Sequence, residues 1–595
     1  MLISFLAATF MLAAQPDTLQ AVTVVADRGV VVSRTDTVLI KSGLDVSGTL
    51  LQLPGLSVGD YGGAAGNKSV SLRGFGAAHT AIYLDGVRVG NVQSGQLDLG
   101  MLGMGSLGAV VADYAQNSIS FRTARPVFHD SPVAGTVRLQ GGSFGTWKPY
   151  GRLDFRLGER WSLSAHAAGI ISKGDFPLED GSFRANNDIK QIQAGTDVFG
   201  TLQGGDFHGK VYFNGSHRGT PGSVSYPSAT DRQKDRNLLA QAVYHKAFNS
   251  LYALHLSAKA SYDDLMYFSE WGDSRYKQTE LQLNTAHKFT LQPWWTVSVA
   301  ADLSWDGLKS DMYNESRLGT VAALASAFRT SRFKADLAVE YVGVFDKSGP
   351  KWNSVSPSAD LRFTVVDGFD VVAFGRRAFR TPTFNDLYYP GSGNTELKPE
   401  DAWLANLGLD FAHRWCAWMV KARVDAYYNY LTNKITWAPA DDTGMIWLPF
   451  NVGKVQAKGV DVLLGADYAA EDWKAGASVR YGFQKAVDKT PDSYTFDQQL
   501  AYVPVHALVL TANVGWKGWS LEGLYHLRAG RTDGAGTKLD WNTLDCTLGK
   551  TICLGKAGSL ALQAKGCNLL NRRFELNAGY PMPGRSFLAG IEYKF

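Results

Sequence analysis

The sequence predicts an all-β membrane protein, a closed antiparallel barrel with a smaller mixed α/β domain in front of it. Three observations carry this. No apolar run in the 595 residues reaches the roughly 18–20 that a membrane-spanning helix needs. From about residue 135 onward, apolar and polar residues alternate over long stretches, the pattern of strands that face lipid on one side and water on the other. The composition, with 63 Gly, 25 Tyr, 16 Trp and only 19% charged residues, suits many strands, tight turns and aromatic belts. Open sheet edges cannot be satisfied in lipid, so such strands must close on themselves. The net charge of +4 is nearly balanced and argues for no nucleic-acid partner.

Taken in order, residues 1–14, MLISFLAATFMLAA, read as the apolar core of a secretory signal, with cleavage expected near Ala14 and Gln15. A buried N-terminal helix is the alternative, and Pro16 with the polar run after it counts against that. Residues 15–37 hold a short β-branched segment, Leu19, Gln20, Ala21, Val22, Thr23, Val24 and Val25. Such a segment can add as a strand to a partner's sheet edge, or serve as a first internal strand. Residues 49–53 form a short helix candidate ending at Pro54-Gly55, and residues 60–67, DYGGAAGN, form a Gly-rich loop. Two short strands follow. Val70 and Leu72 alternate with Ser69, Ser71 and Arg73, and residues 81–84 run into a turn at Asp85-Gly86.

The later chain reads as hairpins. Leu153, Phe155 and Leu157 alternate with Arg152, Asp154 and Arg156, and Trp161, Leu163 and Ala165 return after a turn. Leu508, Leu510, Ala512, Val514 and Trp516 are answered by Trp519, Leu521, Gly523 and Tyr525 across Lys517-Gly518. Trp161, Trp516 and Trp519 beside the turns suit an aromatic girdle. The four cysteines show no metal-ligand spacing and read as packing residues; Cys546 and Cys553 belong to one extended strand, too far apart to bridge.

Several motifs in order make the chain resemble the TonB-dependent outer-membrane transporters. They are Leu53-Pro54-Gly55, SVSLRG at 69–74, YLDGVRV at 83–89 and QSGQLDL at 93–99. Further on come residues 379–387 with 393–400, then Asn451 with Lys458-Gly459-Val460-Asp461, where Asp461 replaces the usual Glu. Cys567-Asn568-Leu569-Leu570, Tyr580 to Arg585 and the terminal Phe595 complete the series. The chain departs from the family at residues 103–113, where an acidic strand ending in Arg-Gly is usual. The resemblance implies a 22-stranded antiparallel transmembrane β-barrel of the bacterial outer membrane, residues 132–595, with an α/β plug, residues 38–131, inside its lumen. It makes residues 19–25 a TonB box.

The implied function is active import of a scarce, large substrate, with TonB and its inner-membrane energising complex as partner. The order Pro16-Asp17-Thr18-Leu19, the compact length and residues 387–394, LYYPGSGN, look most like the cobalamin branch. A ferric siderophore or haem is the alternative, with His79 as a weak haem-ligand candidate. An outer-membrane enzyme or adhesin barrel needs neither plug nor box. Substrate contacts are expected on two plug loops facing outward, at Asp60, Tyr61, Gly62, Gly63, Asn67, Asn91, Gln93, Ser94 and Gln96. These offer small residues and neutral amides, which suit cobalamin better than an anionic siderophore, although Lys68 and Arg88 lie at their edges. A surface lipoprotein lid is a further candidate partner.

Two motifs are declined. Residues 141–145 fit G-x-S-x-G and 103–108 fit G-x-G-x-x-G, but neither has the strand-to-helix setting its chemistry requires. No catalytic residues and no cofactor are expected. The acidic loop 173–188 carries Asp175, Asp180 and Asp188, which could hold calcium or simply be solvated.

Overall fold

The computed structural model describes residues 34–40, 46–439 and 447–595. Residues 1–14, read above as a secretory signal, and residues 19–25 lie outside them. Among the described residues, 22 antiparallel strands close into one barrel, from Val133–Gly142 to Ser586–Lys594. Closure is made where the last strand pairs with the first, Ile591 opposite Leu139, and Phe595 and Gly135 exchange backbone hydrogen bonds. The alternation read from sequence sorts side chains as lipid requires. Leu139, Leu153, Leu407, Leu521 and Ile591 face outward, while Asp154, Asn214, Asp235 and Asn429 are buried in the lumen.

The two ends differ. At one, strands join through tight turns such as 203–204 and 517–518; at the other they join through long segments such as 173–188, 381–399 and 568–585. Trp294, Trp415, Trp418, Trp473, Trp516 and Trp519 ring the short-turn end, all exposed, as a girdle at a membrane interface. In outer-membrane barrels short turns face the periplasm and long loops the outside.

Inside the barrel sits the N-terminal domain. Its strands are β1 (Thr35–Leu39), β2 (Leu56–Asp60), β3 (Lys68–Leu72), β4 (Ala81–Leu84), β5 (Val87–Val89), β6 (Leu107–Asp113) and β7 (Ser118–Thr123). A five-stranded sheet runs β1-β6-β7-β4-β5, and β2 and β3 form a separate hairpin. The two strands expected near residues 70 and 82 therefore belong to different sheets. β4 turns into β5 through Asp85 and Gly86, both at positive φ, the geometry of a tight hairpin turn. Leu50, Leu53, Leu56, Leu72, Leu99, Val110, Ile119 and Phe121 form the plug's core, and Tyr212, Leu404 and Val455 of the barrel pack onto it.

The helix α1 spans Val46–Leu50, earlier than the 49–53 expected. Pro54 disfavours helical geometry at Leu53, so the segment tightens to i→i+3 bonds from Gln52 and Leu53 and stops. The G-x-S-x-G segment is a strand-to-strand turn between Val133–Gly142 and Thr146–Leu157, and the G-x-G-x-x-G segment runs into β6.

Candidate functional site

Two plug loops reach the long-loop end. The first, 61–67, is built by Asp60, whose Oδ1 accepts the backbone N–H of Gly62 (3.1 Å) and Gly63 (3.0 Å). Lys68 closes it from below, donating to the carbonyls of Gly63 (2.6 Å) and Gly66 (3.0 Å), with Asp60 Oδ2 at 3.5 Å. Barrel loops grip it from above. Asn187 donates to the Gly62 carbonyl (3.1 Å), and Tyr61 meets Tyr580 edge-to-face at 4.9 Å.

The second loop follows β5. Asn91 Oδ1 accepts from the Ser94 backbone (2.9 Å) and forms a tight turn. The loop is seized by the barrel segment 381–399, which folds inward as the helix Phe384–Tyr388. Thr383 and Asp386 cap that helix reciprocally. Phe384 N–H donates to the Val92 carbonyl (3.1 Å) and Asn385 N–H to that of Gln93 (2.9 Å). Gly95, at φ +71°, lies so close to Thr383 that a Cβ would come within 2.7 Å of its methyl carbon. The wall above is aromatic and hydroxylic. Tyr313 donates to Asn385 (2.7 Å), Tyr388 to Asp346 (2.7 Å) and Trp437 to Asp386 (3.0 Å).

The structure divides the candidate contact residues. Tyr61, Asn67, Ser94 and Gln96 are exposed at the mouth, and Gly63 and Asn91 are half-buried. Asp60, Gly62 and Gln93 are buried. Asp60 shapes its own loop, Gly62 is tied to Asn187, and Gln93 is packed where its N–H meets Gln278 (3.3 Å). These three are buried and hold the loops in this conformation. The sequence reading missed Tyr313, Asn385 and Tyr580 on the barrel side; the aromatic-rich segments around 385–389 and 580 were the available signal.

The calcium candidates are not brought together. Asp180 Oδ1 accepts from both the N–H and the hydroxyl of Ser182, and Asp188 is held by Arg232 at 2.7 Å. Among the described residues one trio has metal-binding spacing, Asp85, Asp197 and His208. The Lys210 ammonium fills it, 2.9 Å from Asp197 and 3.3 Å from Asp85, so it is an ion-pair hub between plug and barrel. His79 Nε2 lies 2.8 Å from Glu400.

Beneath the mouth, three sequence motifs converge. Arg73 of SLRG lies between the rings of Tyr114 (4.3 Å) and Tyr427 (4.2 Å). Its Nε donates to Asp461 of KGVD (3.1 Å) and Nη1 to Asn406 (2.9 Å). Gly55 of the LPG step, at φ +65°, packs against both Arg73 and Asp461, and Tyr114 donates to the Pro54 carbonyl (3.0 Å). Burial pushes the Tyr114 phenol well up, so it stays neutral. Nearer the short-turn end, Arg34 pairs with Asp425 (2.7 Å) and Asp410 (2.5 Å). Asp98, just beyond the second loop, pairs with Arg218 (2.8 Å). Burial alone would raise the Asp98 carboxyl, but Arg218 and the N–H groups of Lys68 and Gly100 outweigh it and hold it below the usual range.

A barrel occluded by a domain clasped through buried ion pairs defines a gated pore. Residues 179–565 match the model of the TonB-dependent receptor-like β-barrel, and residues 18–117 match that of the TonB-dependent receptor plug domain. The chain is 24% identical over 584 residues to the vitamin B12 transporter BtuB of Photobacterium profundum, covering 92% of this chain and 90% of the relative. It is 23% identical over 603 residues to BtuB of Vibrio vulnificus, covering 93% and 90%. Similar solved structures include the copper transporter OprC, with TM-score 0.77, 15% identity and 94% and 98% coverage. The ferric citrate transporter FecA has TM-score 0.76, 13% identity and 95% and 97% coverage. The chain belongs to the TonB-dependent receptor family of outer-membrane proteins, which are transporters and receptors and not enzymes.

Proposed function

We propose that this receptor imports cobalamin, energised by TonB acting on residues 19–25. The observation that carries the ligand class is the neutrality of the exposed groups on the two plug loops. These groups are Tyr61, Asn67, Ser94 and Gln96, and the adjacent Lys68 is buried with its ammonium consumed by Asp60 and two carbonyls. Cobalamin carries many amides and little net charge, and so matches neutral donors and acceptors beside aromatic faces. The relatives named BtuB, aligned over nine-tenths of both chains, support the same reading. A ferric siderophore is the second reading; Arg88 is exposed in the lumen below the second loop and could attract an anion. The test is equilibrium binding of cyanocobalamin and several ferric siderophores to the purified full-length protein. Tight cyanocobalamin binding is expected; its absence beside tight siderophore binding would favour the second reading.

A further inference from the structure

One sector of the barrel's outer face changes character toward the long-loop end. Alternation sets which side chains face out there: Gln241 and Lys259 point inward and donate to the plug carbonyls of Leu84 (3.2 Å) and Arg88 (2.8 Å). The positions of opposite parity face outward and run from apolar to basic along each strand. Ile189–Leu202 presents Ile192 and then Lys190, and Gly205–Gly219 presents Phe213 and then His217. Arg232–Ala247 presents Leu238 and then Arg236, Lys234 and Arg232. Ser274–Gln292 presents Leu281 and then Lys277 and Arg275, and Trp295–Ser310 presents Trp305 and then Lys309. Between them, Tyr252–Phe268 presents Tyr262 and then Asp264. The register makes these groups neighbours: His217 lies opposite Lys190 and Lys234, Asp264 opposite Arg236 and Lys277, and Lys277 opposite Lys309.

The charges on this face do not cancel. Arg275 donates to both oxygens of Asp264 (2.8 and 2.7 Å), and Arg232 pairs with Asp188 (2.7 Å). Among the described residues no carboxylate forms an ion pair with Lys190, Lys234, Arg236, Lys277 or Lys309. The loop carboxylates Glu270, Asp273 and Asp311 lie beyond the strand ends. Lys277 and Lys309 stand directly opposite each other, and like charges so placed are destabilising until an anion covers them. The sector is bounded. At the same end, strands beside the closure expose Trp147, Ile171 and Phe587 instead.

We propose that this face binds an outer-leaflet glycolipid whose headgroup carries more than one phosphate, with its acyl chains on the apolar positions of the same strands. The basic groups follow directly on lipid-facing residues, which puts them at the depth of lipid headgroups. Phosphate oxygens accept from Arg forks and Lys ammonium groups alike, and such charge-assisted bonds are the strong ones. The five unpaired cations extend across six neighbouring strands, roughly 24 Å at the usual strand spacing, which is too broad for a single phosphate. The assignment is independent of which substrate the receptor imports.

The test is native mass spectrometry of the full-length receptor in mild detergent, with diphosphoryl lipid A, phosphatidylglycerol or inorganic phosphate added at equal concentration. The parent is expected to retain diphosphoryl lipid A in preference to the other two. Lys234→Gln, Arg236→Gln, Lys277→Gln and Lys309→Gln together are expected to lower that retention about tenfold. The matched control changes four exposed lysines at the short-turn end, Lys421→Gln, Lys474→Gln, Lys517→Gln and Lys556→Gln, and is expected to stay within about twofold of the parent. If the patch variant folds poorly, Arg236→Gln and Lys309→Gln, each on an exposed side chain, decide the matter singly, with an expected loss of about twofold to threefold apiece. A parent that retains no lipid A overturns the proposal, as does equal retention by the patch variant and the control. Equal retention of phosphatidylglycerol overturns the headgroup with several phosphates, and binding of inorganic phosphate without any lipid overturns the lipid.

Discussion

The plug is held differently by two walls of its barrel. Along the strands Glu400–Trp415, Trp418–Pro439 and Trp447–Ala470 it is clasped by buried charge: Arg34 on Asp410 and Asp425, Arg73 on Asp461, His79 on Glu400. Along the wall around the closure it faces a cavity, and contacts there include single bonds to backbone, such as Arg152 to the Ala124 carbonyl and Arg528 to that of Leu51. The difference teaches how a plug can be stable at rest and still yield. Buried ion pairs are strongly destabilised when one partner goes, yet each group regains hydration if the plug is drawn into water. The clasped wall is therefore the costlier one to release.

The largest effect should come from uncoupling the pull itself. Val22→Pro removes a backbone donor needed for strand addition, so TonB-driven uptake should be abolished while surface binding of cyanocobalamin is intact. Normal uptake in cells with working TonB would mean that residues 19–25 are not the box.

Next in size is the clasp. Arg73→Ala leaves Asp461 buried and unpaired and should weaken the plug by about 3–5 kcal/mol. Hydrogen exchange of the β3 and β6 amides should accelerate accordingly, without a comparable change in the barrel strands. Asp461→Asn should cost less, because Arg73 keeps Asn406 and both aromatic faces. Equal effects of the two substitutions would break the contrast between clasped and open walls.

This clasp was also the most legible part of the molecule. LPG, SLRG and KGVD each stood out in the chain, and they meet around Arg73 and Asp461. Barrel strands were legible because alternation is imposed residue by residue by lipid and lumen. The site was less so, since exposure depends on partners far away in sequence. Gln93 looked like a ligand group until Gln278, 185 residues on, covered its backbone. Asp180 and Asp188 stood out as an acidic loop, and their partners in the structure are Ser182 and Arg232. Arg34 carried no motif at all, because its partners lie 376 and 391 residues away.

A smaller, pH-dependent effect should appear at Asp98. Its carboxyl is held below the usual range, so its ion pair contributes fully above about pH 4 and is lost as pH falls through the lowered value. The contribution should be about 1.5–3 kcal/mol, as for a hydrogen-bonded charge. Protease resistance of the second plug loop should differ between parent and Asp98→Asn at pH 7. That difference should shrink below pH 4 and stay constant from pH 5 to 8. A difference that varies between pH 5 and 8 would assign the effect to another group.

The smallest expected effect separates the two kinds of loop residue at the mouth. Gln96 and Ser94 are exposed, whereas Gln93 is buried against the barrel. If cyanocobalamin lies on the loop surface, Ser94→Ala with Gln96→Ala removes neutral hydrogen bonds that the ligand would cover. Each such bond is worth about 0.5–1.5 kcal/mol net, so the pair should weaken binding by roughly a few fold to a hundredfold. Gln93→Ala touches no ligand directly in this arrangement. It should leave the dissociation constant nearly unchanged but loosen the loop, which hydrogen exchange at residues 90–96 would register. The reverse result, a large loss of affinity from Gln93→Ala and none from the exposed pair, would mean that ligand binding first pulls this loop away from Gln278 and Asn385. The mouth would then belong with the moving parts of the plug and not with its clasped wall.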